Sequence, residues 1–409
     1  MNRMQRFHLG VDYGTSASKL ILRHFEAPGG ERAYLLEPNN SFRIPSGVTF
    51  RRQEIVLSSN DAGALRSLKM RCAGEVTNKL PDYFFGELKD IPFNLSSEDL
   101  VTLTIWRLIS IGHLAAVKLS GNTDFKMGMT LGVPMSFLDD NELGEVYLKI
   151  ARVAYHIYTN HGPIGLDTIG VDLAMELLNS CRSAVDKKPS IPEANRRNWI
   201  RSETEASMFW SFKSPATPAS PFFCADIGAG TTDSCAFMIN DELINGHRMK
   251  DNLVFFGAHS HPVAMDAFQF TEDEDKWCRE VRGGLVRSAQ KAFSRIMGNV
   301  FSVNQWSDPK LIILGGGAMN VKLCRALQKH PMVNFKDTDL SILDLLTPTD
   351  LMRLDGTAAK PSDVVFTSVA YGLAQIGEAV PLAERPSEVQ QVRRHATSTL
   401  PSHYEIYGD

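Results

Sequence analysis

A short pattern occurs twice in this chain, with its two aspartates 214 positions apart. The first copy is Val11-Asp12-Tyr13-Gly14-Thr15-Ser16, and the second is Ala225-Asp226-Ile227-Gly228-Ala229-Gly230-Thr231-Thr232-Asp233. In each, an apolar run ends at an aspartate, passes through small Gly, Thr, Ser or Ala residues, and enters a second apolar run (Leu20-Ile21-Leu22; Cys235-Ala236-Phe237-Met238). Apolar runs bounded by such turn residues read as a β-hairpin. Either copy alone could be no more than a tight hairpin in which aspartate is a turn former. Two copies in one chain predict two like domains facing each other across a cleft.

The residues at the tips narrow what that cleft can hold. Glycine adopts positive φ and lets backbone approach a ligand closely, so successive N–H groups can form an anion-binding nest. Thr15, Ser16, Thr231 and Thr232 add hydroxyl donors beside Gly14, Gly228, Ala229 and Gly230. A carboxylate repels phosphate, so Asp12 and Asp226 fit such a ligand only with a cation between them. Mg²⁺ holding its waters suits that place. The expected occupant is a metal-bound polyphosphate.

A third segment, Leu311-Ile312-Ile313-Leu314-Gly315-Gly316-Gly317-Ala318, reads as a buried strand entering a glycine turn, with a helical pattern after it. Alone it could be a plain strand-to-helix turn. Three glycines would also suit close approach of a flat adenosine to backbone.

In this order the set resembles the phosphate-1, phosphate-2 and adenosine motifs of the actin, sugar-kinase and heat-shock-chaperone ATPase superfamily. The resemblance spans roughly residues 7 to 380 and leans towards DnaK-like chaperones and ParM-like bacterial actins. Arg43 to Phe50 is similar to a chaperone segment that follows the first sheet, and Leu131-Gly132-Val133-Pro134 to the family's strand ending in Val-Pro. Glu203-Thr204-Glu205-Ala206 sits where the family has its first connecting motif, and Ser368 to Ala374 resembles its closing helix. Lys19 matches a phosphate-contacting lysine of the actins and ParM more than the chaperones, and Lys69 resembles the chaperone lysine near the γ-phosphate, although a surface lysine is an equal reading of Lys69.

The resemblance implies an α/β fold of two actin-like (ribonuclease H-like) domains flanking a nucleotide cleft. The domains would cover 1–220 and 221–385, with the last helix near 363–380 returning to the first and a polar tail over 386–409. It also implies ATP or ADP with Mg²⁺ as ligands, and slow ATP hydrolysis. Asp12 and Asp226 would hold the metal's water shell, and Glu203 would orient the attacking water, with Glu205 in its place if the strand end is offset by two residues. The partner would be a protein, or further copies of the chain in filaments; a small-molecule kinase is a third reading.

The chain also departs from the chaperone pattern. Gly315 follows Asp233 by only 82 positions, so a small second upper subdomain is expected around Phe255–Trp277. No cationic adenosine-clamping helix stands out; Arg282, Arg287 and Lys291 are the nearest residues. Nothing after the core could form a peptide-binding β-domain, which leaves the tail from Pro386 and the upper subdomain as output surfaces.

The remaining features are ordinary. The 409 residues, 43% hydrophobic and 22% charged, suit two or more domains with cores of their own. A net charge of −4 argues against general nucleic-acid or anionic-membrane binding. Six cysteines without paired spacing read as buried thiols of a reducing cytoplasm. No secretory segment and no stretch long enough to span a membrane is expected. His259-Ser260-His261 could offer imidazoles to a metal or be a solvated or phosphate-side loop, and Glu272 to Asp275 reads as helix capping. Residues 98–119, Met127–Val133 and Trp277–Val300 are expected to be helix, strand and helix.

Overall fold

The computed structural model describes residues 4–77, 90–165, 167–214, 217–244, 247–261, 263–268, 271–297, 309–329, 340–376 and 382–387. It is a mixed α/β protein. The chain opens with β1 (Gln5–Asp12), β2 (Ala17–His24) and β3 (Arg32–Leu35), followed by β4 (Ile44–Pro45), β5 (Gly47–Arg51), β6 (Glu54–Ser59) and α1 (Leu68–Thr77). Next come α2 (Ser97–Ser120), β7 (Phe125–Val133), α3 (Met135–Leu138), α4 (Asn141–His161), β8 (Thr168–Gly170) and α5 (Val171–Asp186). Short α6 (Glu193–Arg196) and β9 (Ile200–Ser202) lead into α7 (Glu203–Lys213).

The second half begins with β10 (Pro221–Ile227), β11 (Thr232–Ile244) and β12 (His247–His261). It continues through α8 (Met265–Phe268), α9 (Glu274–Met297), β13 (Lys310–Gly315), α10 (Val321–Gln328) and β14 (Ser341–Ile342). The described chain closes with β15 (Leu351–Arg353), α11 (Pro361–Leu373) and β16 (Leu382–Glu384).

The two main sheets repeat one topology. In the first, β3-β2-β1 run antiparallel, then β7 and β9 add parallel to β1 after helical crossovers. In the second, β12-β11-β10 run antiparallel, then β13 and β14 add in parallel. Both central strands therefore carry an aspartate at their C-terminal end, Asp12 as the last residue of β1 and Asp226 as the last but one of β10. Parallel strands need long connections, usually helical, and α2 and α9 supply them.

Local chemistry sets the helix bounds. Ser96 and Asp99 form a capping box at the start of α2, and Gly121 ends it at φ 72°, a conformation that suits glycine. The α2 segment corrects one expectation, because it is long and apolar enough to cross a membrane by length and composition. Its apolar surface instead packs into the first core, with 78% of its most apolar window buried. Asp140 caps α4 through the amides of Glu142 and Leu143, and Asp273 accepts from the Lys276 amide as α9 begins.

One core lies between the first sheet and α2, α4 and α5. A second lies between β10–β13 and α9. On the other face of the second sheet, Met135, Met208 and Phe212 from the first half pack among Phe222, Phe237 and Phe255, which ties the halves together. Helices α7 and α11 cross so closely that a Cβ on Gly372 would come within 1.8 Å of the Ala206 carbonyl oxygen. Strand β15 pairs with β3, so the late part of the chain rejoins the first sheet already at Leu351.

The two ends of the stretch Phe255–Trp277, where a small upper subdomain is expected, belong to the core. Phe255 and Phe256 are fully buried strand residues, and the Trp277 indole donates to the Ala264 carbonyl inside the second core. Hydrophobic burial has drawn these aromatics inward, so they offer no output surface. Residues 298–300 of the expected long helix, and the tail beyond Ser387, lie outside the described residues.

Candidate functional site

The two hairpin tips meet. A Cβ on Gly230 would stand 2.6 Å from Thr15 Cγ2, so the second tip touches the first only because position 230 has no side chain. Asp12, the last residue of β1, lies directly across its hairpin from Lys19, and their side chains pair at 3.1 Å. Asp226 lies directly across its hairpin from Asp233 at the same seven-residue spacing. The same place is thus cationic in one hairpin and anionic in the other.

Between the tips come residues from distant parts of the chain. Ser202 caps α7 and Glu203 is its first residue. Gly132 leaves room for it, since a Cβ there would be 3.1 Å from Glu203 Cγ. Glu203 Oε1 accepts from Lys69 Nζ at 2.5 Å, and both side chains are almost wholly buried. The Tyr147 hydroxyl donates to the Lys69 carbonyl at 2.8 Å and anchors the start of α1. Asp233 accepts from Thr231 Oγ1 at 3.1 Å and from Ser260, whose hydroxyl also bonds Ser136 on α3.

Four carboxylates (Asp12, Glu203, Asp226, Asp233) thus share a buried region with two ammonium groups (Lys19, Lys69). Fully ionised, they carry two excess negative charges. Burial penalises charge and like charges repel, and both effects are visible. Burial, then Asp12 and Asp233, push Asp226 up to about 7 against the pull of Lys19 and Lys69. Burial pushes Glu203 up to about 8 even though Lys69 draws it down, with Asp12, Asp233 and Asp226 adding to the rise. Burial also raises Asp233, opposed by Lys69 and by its hydrogen bonds from Ser260 and Thr231. For both lysines burial works against the charge, but the surrounding carboxylates outweigh it and raise their pKa.

Such a cluster is relieved by a divalent cation, and an excess of two negative charges matches one. Among the described residues no three His, Cys, Asp or Glu side chains converge to hold an ion by themselves. The arrangement therefore fits a cation that keeps waters or shares another ligand's oxygens, with Asp12 and Asp226 at its flanks.

The other expected residues divide. Gly14 is required, because a Cβ there would be 2.3 Å from the Ala17 carbonyl. Thr15 is buried at the contact between tips, and Ser16 is exposed. Thr232 is not a free donor: its hydroxyl is buried and donates to the Val263 carbonyl at 2.8 Å. Gly228, Ala229, Gly230 and Thr231 line the second tip. Gly315, at φ 72°, packs under Asp226, where a Cβ would be 2.7 Å from Oδ1. Gly316, Gly317 and Ala318 form a 3₁₀ turn, with Gly317 tight against Ile227. Lys69 is a buried cleft residue, not a surface lysine. Glu205 is turned away and pairs with Arg197, so Glu203 is the acid in the cluster.

The cationic helix residues are elsewhere. Arg287 donates to His259 and His261, Lys291 to the Ala258 carbonyl, and Arg282 to the Lys329 carbonyl. His259 and His261 stand on strand β12, not in a loop, on the face towards α9. Successive strand residues point to opposite faces, which puts Ser260, between them, on the Asp233 side. Burial and then Arg287 hold both imidazoles down at about 4, and a guanidinium occupies the position a metal would need.

Sequence reading gave Asp233 and Ser260 no role. The signal for Asp233 was present in the matched spacing Asp12 to Lys19 and Asp226 to Asp233; that for Ser260 was hidden by its histidine neighbours. No family model matches this chain, and no curated protein matches it.

Proposed function

We propose that the chain is an ATP-binding, slowly hydrolysing nucleotide switch of the actin, sugar-kinase and heat-shock-chaperone superfamily, built of two actin-like domains and acting on a protein partner. The observation that carries this reading is the meeting of two topologically equivalent hairpins, each with an aspartate at the end of its first strand, around the buried Lys69–Glu203 pair. A polyphosphate would lie along the tips, with the backbone amides of 14–16 and 229–231 as donors, and the base would approach the Gly315–Gly317 turn.

Mg²⁺, when bound through water by Asp12 and Asp226, would neutralise charge on the phosphates. Lys19 then has Asp12 on one side and phosphate on the other. Lys69 is shared: drawn towards a terminal phosphate, it would release Glu203 Oε1 to accept a hydrogen bond from the attacking water. Phosphoryl transfer relies chiefly on positioning and charge stabilisation, which this set can supply. Closure between the halves would alter a partner surface by hinge motion.

Isothermal titration with ATP and Mg²⁺ tests the reading, and absence of binding at millimolar ATP would sink it. A second reading, a filament-forming bacterial actin, is favoured by Lys19 in the cleft and by the compact link from β12 to α9. Electron microscopy with ATP separates the two: ordered filaments support the second reading and discrete particles the first.

A further inference from the structure

A cavity of about 620 Å³ opens on the first half, between one face of α4 and the segment that leads from α5 to β9. It is far from the cleft. The hydroxyl of its wall residue Tyr155 donates to the Met127 carbonyl near the start of β7, whereas the cleft lies beyond Val133 at the other end. Six residues of strand separate them, about 20 Å.

The charge of its lining is one-sided. Arg152 and Lys188 both line it, and no carboxylate does among the described residues. Arg152 has no hydrogen bond or ion pair among the described residues. Among the described residues Lys188 Nζ reaches His156 Nδ1 alone, at 3.3 Å. That nitrogen also faces the Asn160 amide at 3.0 Å, so it accepts, and the proton of a neutral ring sits on Nε2, a further donor. Burial, then Lys188 and His161, hold the imidazole below its ordinary range, in keeping with surplus positive charge. Two nearby acids are already engaged, Asp186 with Lys149 and Glu145 with Arg196.

The rest of the wall mixes uncharged polar residues (Thr159, Ser190, Asn195, Asn198) with a stiff apolar part. Tyr155 and Trp199 meet edge to face at 5.5 Å, and Pro189 and Pro192 fix φ along the rim. A preformed concavity of a few hundred Å³ with a few converging polar groups is the usual form of a small-molecule site.

We propose that this cavity is a second ligand site, for a small phosphomonoester whose organic part rests on Tyr155 and Trp199. Two full positive charges balance a dianionic phosphate, whereas a carboxylate would leave one of them unmatched. The Arg152 fork can grip two phosphate oxygens at once. The volume exceeds that of inorganic phosphate and suits an ester up to nucleotide size. The inference does not depend on what the cleft binds.

Titration calorimetry of the full chain with phenyl phosphate, with acetate as control, tests it. The expected result is saturable binding of phenyl phosphate that is at least about tenfold weaker in both Arg152→Gln and Lys188→Gln, yet unchanged in the cleft variant Asp226→Asn. Both substituted side chains lie outside the core, and circular dichroism with a melting curve checks that each variant folds. The proposal is overturned by no binding to the wild type at about 10 mM, by equal affinity in the two cavity variants, by loss of binding in Asp226→Asn, or by acetate binding as tightly as phenyl phosphate.

Discussion

Lys69 Nζ donates to Glu203 Oε1 across 134 positions of sequence, and both side chains are almost wholly out of solvent. This pair joins the start of α1 to the start of α7. It places a cation among four carboxylates that would otherwise have only Lys19.

Removing one partner of a buried ion pair leaves an uncompensated charge, which typically costs about 3–5 kcal/mol. Lys69→Ala is therefore expected to lower stability by about that amount, and Glu203→Gln in the same chain to restore much of it. Urea unfolding of the single and double variants measures the coupling; purely additive losses would refute it.

For turnover, Asp12→Ala and Glu203→Ala are each expected to lose stability but remain folded under assay conditions, and to slow ATP hydrolysis by about 10²–10³, the scale for losing one preorganised group. A phosphate-release assay with matched circular dichroism checks this. Wild-type rates in both variants would mean that the cleft only binds.

Asp233 holds in the second hairpin the place that Lys19 holds in the first. Asp233→Asn removes one of the two excess negative charges, and Asp233→Lys removes both. The Mg²⁺ concentration needed for ATP binding is expected to rise by at least about tenfold in Asp233→Asn, roughly 1.4 kcal/mol, and further in Asp233→Lys. An unchanged Mg²⁺ midpoint in both variants would contradict the charge argument.

Gly372 in α11 has backbone of α7 where a side chain would stand. Alanine gains about 1 kcal/mol over glycine in a helix, but forcing a methyl into packed backbone costs about 3 kcal/mol or more. The clash wins, so Gly372→Ala should lower the urea midpoint. A midpoint equal to or above wild type would show that the two helices separate easily.

His8 provides a pH test. Burial, reinforced by the nearby positive Arg201 and Arg23, holds its folded pKa down to about 3 from 6.5, and its Nε2 lies 2.9 Å from the Thr130 hydroxyl. The unfolded chain thus takes up a proton in a range where the folded one does not. The stability linked to His8 is complete above pH 6.5 and is lost as pH falls towards 3, by up to roughly 4–5 kcal/mol. His8→Gln should flatten the fall between pH 6.5 and 4.5 in a series of unfolding curves; parallel slopes would exclude the linkage.

Features whose cause is local could be read from the sequence. The hairpins at Asp12 and Asp226, the Gly315 turn and the acidic capping run at the start of α9 all depend on neighbouring residues in one stretch of chain. Turn glycines, caps and apolar period act over a few positions, so these elements stand close to where the pattern puts them. Tertiary structure decided what faces what. Whether Lys69 lay at the surface or on Glu203 depended on how α1 packs against α2 and α4, and Phe255 became core only because β12 extends the second sheet. Ser260, not its histidine neighbours, reached Asp233 because strand parity sends adjacent side chains to opposite faces. Side-chain direction in β12 follows from its pairing with β11, and the charge balance of the cluster follows from residues up to 221 positions apart. No local run of sequence contains either.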